Sequence, residues 1–125
     1  MIGIPLESSY YLKDDSVIII SLHNNIYDEH LPQLKDLFSE FLIKNIKNII
    51  LDLSKCLFIE KEIWEYFIEL KKELSHNKGD LVLANMYGVV KNDYNIMELS
   101  NDLESFNNIN NAFYNFGILN DIKSA

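Results

Sequence analysis

The sequence is short of the residues that bend chains and cradle phosphates, with four glycines and two prolines among 125 residues. Neither G-x-G-x-x-G nor G-x-x-x-x-G-K occurs. Without such glycines a loop does not bring its N–H groups up to a phosphate, which sets aside the nucleotide enzymes built on those loops. A single cysteine, Cys56, forms no internal disulfide. Apolar runs are only a few residues long, far from the roughly 20 that span a bilayer. No charged-then-apolar leader opens the chain, so a soluble, cytoplasmic protein is expected. Cations are also scarce, with 11 Lys and Arg against 19 Asp and Glu and a net charge of −8. Such a surface repels nucleic acid and anionic membranes, and neither is an expected partner. The three histidines, His23, His30 and His76, are scattered without metal-ligand spacing, so no metal or cofactor is expected.

What is present suits one globular domain over 1–125. Apolar residues make up 48% of the chain, enough for one core at this length. SYYLKDDSVIIISLH reads as a hairpin, with strands Tyr10 to Lys13 and Val17 to His23 around a turn at Asp14-Asp15-Ser16. The unbroken VIII run implies a strand covered on both faces. A helix follows from Leu31 to near Lys44-Asn45, with Leu31, Leu34, Phe38, Phe41 and Leu42 on one face and Pro32 in its first turn. Asn48 to Leu53 is a third strand, and Lys61 to Asn77 a second helix with Ile63, Phe67, Leu70 and Leu74 inward. Gly79, expected at positive φ, ends it. A strand at Asp80 to Ala84 comes next, then a helical stretch around Ile96 to Leu99 and a short strand at Ser105-Phe106. A last helix, Ile109 to Phe116, stops at Gly117. Alternating strands and helices with short connections predict an α/β fold, a mixed, mostly parallel open sheet of four to five strands carrying about four helices.

Sites in such sheets gather at the C-terminal ends of strands, which directs attention to LDLSKCLFIEKEIWEYF at 51–67. Cys56 as a nucleophile needs a base and a positive setting, neither of which the sequence supplies; a small buried residue is the better reading. Glu60 and Glu62 are a carboxylate pair, but acids in a first helical turn are ordinary dipole partners, and catalysis is not expected. Asp52, at a strand end, is where a receiver domain accepts phosphate, yet the acidic pair Asp14-Asp15 precedes its strand and no lysine closely follows the last one.

The run NIILDLSKCLFIEKEIWEYFIELKKELSHNKGDLVLANM resembles the STAS domain (sulfate transporter and anti-sigma-factor antagonist). Bacterial members have an apolar strand ending Asp-Leu-Ser, an aromatic, Asp-Ser-Ser-Gly opening a helix, then a Gly and another apolar strand. IILDLS, Leu57-Phe58, the helix to Leu74, Gly79 and Leu81 to Ala84 match in order, and with the flanking elements the likeness covers roughly residues 8 to 117. Glu60-Lys61-Glu62-Ile63 replaces Asp-Ser-Ser-Gly. In antagonists the serine at the position of Glu62 is phosphorylated by a partner kinase, which releases the partner. The resemblance therefore implies a non-enzymatic protein-interaction module like an anti-sigma-factor antagonist in a bacterial partner-switching system, without the phosphorylatable serine. Its implied partner is a protein, such as an anti-sigma factor or serine-kinase-like regulator. The alternative is an accessory or scaffolding subunit of a transport or signalling complex. Glu62 either supplies a permanent negative charge in place of phosphoserine or marks a lost switch. Ser54 and Ser75 lie away from the helix entrance, and structural roles are expected for both.

The partner-binding candidates are Glu60, Lys61, Glu62, Trp64, Glu65 and Ile68. Trp64 and Ile68 stand beside the apolar stripe, where a tryptophan is either the edge of the core or an interface anchor. Core edge is favoured, because sheets cover broad helix faces. Glu62, Glu65, Glu69 and Glu73 form an acidic strip, readable as a solvated face or as a steering surface for a basic partner.

Overall fold

The computed structural model describes residues 4–13 and 17–117; the turn at Asp14-Asp15-Ser16 lies outside them. Five strands form one sheet: β1 (Ser8–Lys13), β2 (Val17–Leu22), β3 (Asn48–Asp52), β4 (Asp80–Ala84) and β5 (Ser105–Phe106). Their order in the sheet is their order in the chain. β1 runs antiparallel to β2, with Tyr10 opposite Ile20, and the remaining pairs are parallel.

Among the described residues there are four α-helices: α1 (Leu31–Ile43), α2 (Lys61–His76) and α3 (Gly88–Ile96) join successive strands from β2 to β5, and α4 (Ile109–Asn115) follows β5. Crossovers that always step in one direction with right-handed turns leave every connecting helix on the same face. The core agrees. Leu34, Phe38 and Phe41 of α1, Ile63, Phe67, Leu70 and Leu74 of α2, and Val90 and Tyr94 of α3 pack against Ile18, Ile20, Ile49, Leu51, Leu81 and Leu83. Alternate strand residues Val17, Ile19, Ile50, Val82 and Ala84 meet Ala112 and Phe113 of α4 on the other face. Both sides of the VIII run are thus covered, as its lack of alternation requires.

Three expectations are corrected. The helix placed around Ile96 to Leu99 lies earlier, at Gly88–Ile96; Glu98 takes φ 55, and Leu99–Asn101 form a 3-10 turn. A left-handed residue breaks the α-helical path there. No side chain caps the N-terminus of α3, so the sequence carries no start signal for it. After α2 it is Lys78 that adopts φ 64, and not Gly79. Gly79 is needed for space instead: a Cβ there would overlap the carbonyl oxygen of Lys47, whose carbonyl also accepts the Asp80 N–H at 3.0 Å. Finally, β3 ends at Asp52, although Leu53 still donates its N–H to Ala84 O at 3.0 Å.

Candidate functional site

Two connections at the C-terminal end of the sheet are zipped together. Ile26 and Ile59 form a parallel bridge, Ile26 donating to Phe58 O and Glu60 donating to Ile26 O, each at 2.9 Å. The β2–α1 connection is folded locally by His30, a fully buried histidine. Its Nδ1 accepts the Tyr27 backbone N–H at 2.9 Å, which leaves Nε2 to donate to the carbonyl of Ile4.

This zipper positions the entrance of α2. Glu60 holds the N-cap position with extended backbone (φ −73, ψ 156), and Ile63 donates to its carbonyl at 3.0 Å. Its side chain does not cap the helix. The carboxylate instead accepts the Asp28 backbone N–H at 2.7 Å. Lys61 and Glu62 follow as the first two helical residues, and both are exposed. Glu62 is therefore beside the cap, where the free N–H groups and helix dipole favour a negative charge. Asp28 has a pKa raised from its ordinary value by burial and by the charges of Glu60 and Glu65. Its Oδ1 is enclosed without a hydrogen-bond partner.

The other sequence candidates separate. Trp64 is corrected as a contact residue: it is 1% exposed, lies in the main core, and meets the rings of Phe67 at 6.1 Å and Tyr94 at 6.2 Å. The sheet and α3 cover the α2 face further round than the stripe alone indicates, which is the core reading of this residue. Glu65 is exposed and borders a hollow facing α1. Ile68 is half-buried and borders a different hollow with Lys71, Lys72 and His76, reaching Asp102. Cys56 is buried, its thiol pushed up to about 12 by burial and the Asp52 charge, and directs its S–H at Asn24 O (3.3 Å). That is a structural cysteine.

Asp52 and Ser54 belong to a clasp across three strand ends. Ser21 Oγ donates to Asp52 Oδ2 at 3.0 Å, while the Ser54 N–H (3.0 Å) and Asn85 Nδ2 (3.1 Å) donate to Oδ1. Burial alone would raise the Asp52 pKa, but the bonds from Asn85, Ser54 and Ser21 prevail and hold it below the usual range. A carboxylate so occupied holds strand ends in register and is poorly set to act as a nucleophile. Ser75 is exposed, late in α2.

The sequence does not single out Asn85 or Tyr66, and it marks Asp28 only as a loop neighbour of His30. The i, i+3, i+4 spacing of Glu62, Glu65 and Tyr66 was the available signal for Tyr66; nothing local marks Asn85. The sheet order contains no reversal, so the crevice that such reversals open for ligands in doubly wound sheets is not formed. Among the described residues, no group of three or more His, Cys, Asp or Glu is arranged to hold a metal, and no helix is long and apolar enough to cross a membrane.

Comparison with known proteins agrees with this architecture. The STAS domain profile matches residues 11–112. A Thermotoga maritima protein assigned as an anti-sigma factor antagonist superposes with a TM-score of 0.81 at 22% identity, over 89% of this chain and 95% of its own. The anti-sigma factor antagonist SpoIIAA in its unphosphorylated form gives 0.75 at 15% identity, over 91% and 100%. The murine anion transporter Slc26a9 gives 0.62 at 15% identity, over 88% of this chain and 22% of the transporter. No curated protein matches the sequence.

Proposed function

The chain belongs to the STAS domain family, and on that premise we propose that it is a non-enzymatic interaction module of the anti-sigma-factor-antagonist kind. Its docking surface for regulator proteins in the bacterial cytoplasm is the entrance of α2, which Glu62 keeps in the kinase-released state. The observation that carries this reading is the exposed carboxylate of Glu62 at the second position of α2, where the family resemblance puts the phosphorylated serine. One permanent negative charge at a helix N-terminus reproduces part of what a phosphoserine supplies there. The module is thereby held in a state akin to the phosphorylated form, which a partner kinase no longer sets.

Glu60 and Lys61 flank Glu62 on the same entrance, and the Glu60–Asp28 bond holds that entrance against the β2–α1 connection. Docking through a preformed surface of this sort needs little rearrangement. The accessory-subunit reading has the likeness to a stretch of an anion transporter behind it. It predicts binding to a transport protein that is indifferent to residue 62.

The test compares the native chain with Glu62→Ser and Glu62→Ala in pull-downs and calorimetry against anti-sigma kinases encoded in the same genome. Gain of kinase binding in both variants is expected, with phosphorylation of the Ser variant alone. Identical behaviour of all three proteins defeats the locked-state reading.

A further inference from the structure

The flank of α2 that faces α1 is a groove with one wall of a single charge. Two adjoining hollows of about 320 and 240 Å3 share Lys35, Tyr66 and Glu69. Glu62 and Glu65 line the upper hollow and Glu73 the lower. Leu31 and Leu42, both half-buried, bring apolar surface from α1. Tyr66 lies between, its ring 6.2 Å from that of Phe38. Lys35 is the one cation among the described lining residues, and its Nζ sits 5.9 Å over the Tyr66 ring. None of the four glutamates is ion-paired within the described residues. The field they set up is felt locally: burial, then Glu73 and Glu69, push the Tyr66 hydroxyl up to about 12.

We propose that this groove seats a basic amphipathic helix of the partner protein. The proposal rests on the docking reading above and names the partner's chemistry. Glu62, Glu65, Glu69 and Glu73 recur at helical spacing along about 16 Å of α2 at 1.5 Å per residue, the length of roughly three turns of a partner helix. Lys or Arg at matching spacing on the partner meets the acidic wall, while its apolar residues meet Tyr66, Leu31 and Leu42. The remaining ligand classes fit badly. Nucleic acid and anionic lipid carry the same sign as the wall, and the glutamates are not gathered into a cation site.

The probe is a synthetic helical peptide of Leu and Lys with Lys at i, i+4, i+7 and i+11, titrated into the 15N-labelled full chain beside a scrambled peptide of the same composition. The expected result is that resonances of Leu31, Lys35, Tyr66 and Glu69 move with the amphipathic peptide and that the scrambled one binds at least about tenfold more weakly. The exposed triple variant Glu65→Lys, Glu69→Lys, Glu73→Lys, checked for an unchanged melting curve, is expected to lose about tenfold or more in affinity, since close charge pairs dominate such contacts. Equal binding of the two peptides, unchanged binding by the variant, or shifts confined to residues 57–62 would each overturn the groove. The kinase pull-down with Glu62→Ser is a separate readout, so failure of the groove is distinguishable from failure of the entrance reading.

Discussion

The carboxylate of Glu60 accepts the backbone N–H of Asp28 at 2.7 Å across 32 residues of sequence, so the entrance of α2 is held by a different loop from its own. An N-cap residue ordinarily turns its side chain back onto its helix; here it reaches outward and couples two loops. Glu60→Ala is expected to cost about 1 kcal/mol of stability in urea unfolding, the usual worth of one such bond. Glu60→Gln, which keeps an acceptor oxygen, should lose less. Amide exchange at Asp28 is expected to quicken in the Ala variant alone.

Asp28 has a carboxyl whose ionisation burial, Glu60 and Glu65 all oppose. A folded pKa above the unfolded one means that the charged form weakens the fold at neutral pH, and that the penalty fades as pH falls through the folded pKa. Asp28→Asn is therefore expected to melt higher than the native chain at pH 7, with the two curves converging on acidification. A lower melting point for Asp28→Asn at pH 7 would contradict the repulsion.

Trp64 is a core residue, so its truncation is a stability experiment. Trp64→Ala is expected to cost about 3–5 kcal/mol, measured by the shift of the urea midpoint, and Trp64→Phe distinctly less. Any loss of partner binding in Trp64→Ala should track its unfolded fraction. A fully folded Trp64→Ala that fails to bind would return the residue to the interface.

At the end of α2 the two neighbours Lys78 and Gly79 have exchanged their customary roles. Lys78 holds φ 64, a region that costs a non-glycine residue about 1 kcal/mol, while Gly79 fills a gap too small for a methyl group. Lys78→Gly is expected to be neutral or to raise stability slightly. Gly79→Ala is expected to lower it by about 1–3 kcal/mol through overlap with Lys47. Circular-dichroism melts of the pair distinguish a turn that needs glycine for conformation from one that needs it for space.

That pair also marks the boundary of what the chain discloses by itself. Elements with strong periodicity, such as Leu31–Ile43 and Asp80–Ala84, were legible because burial repeats along them in steps of 3.6 or in unbroken apolar runs. The α3 helix was not, since it carries only Val90 and Tyr94 inward and begins without a capping side chain. At the site, Glu60, Lys61 and Glu62 could be placed at a helix entrance from local order alone. The bond from Asp28 to Glu60, the clasp of Asp52 by Ser21 and Asn85, and the groove opposite Lys35 depend on segments far apart in the chain. Burial of Trp64 likewise depends on Tyr94, which no pattern within α2 announces.

Strand order identical to chain order has a consequence for synthesis on the ribosome. Each strand emerges after the neighbour it pairs with, so no gap in the sheet waits for a segment still to be translated, and the first layer is able to assemble from the N-terminus onward. The second layer is not. Val17, Ile19, Ile50 and Val82 stay wet until α4 has left the exit tunnel and brought Ala112 and Phe113 to them. Nascent chains stalled before residue 109 would present that greasy surface to chaperones and to one another.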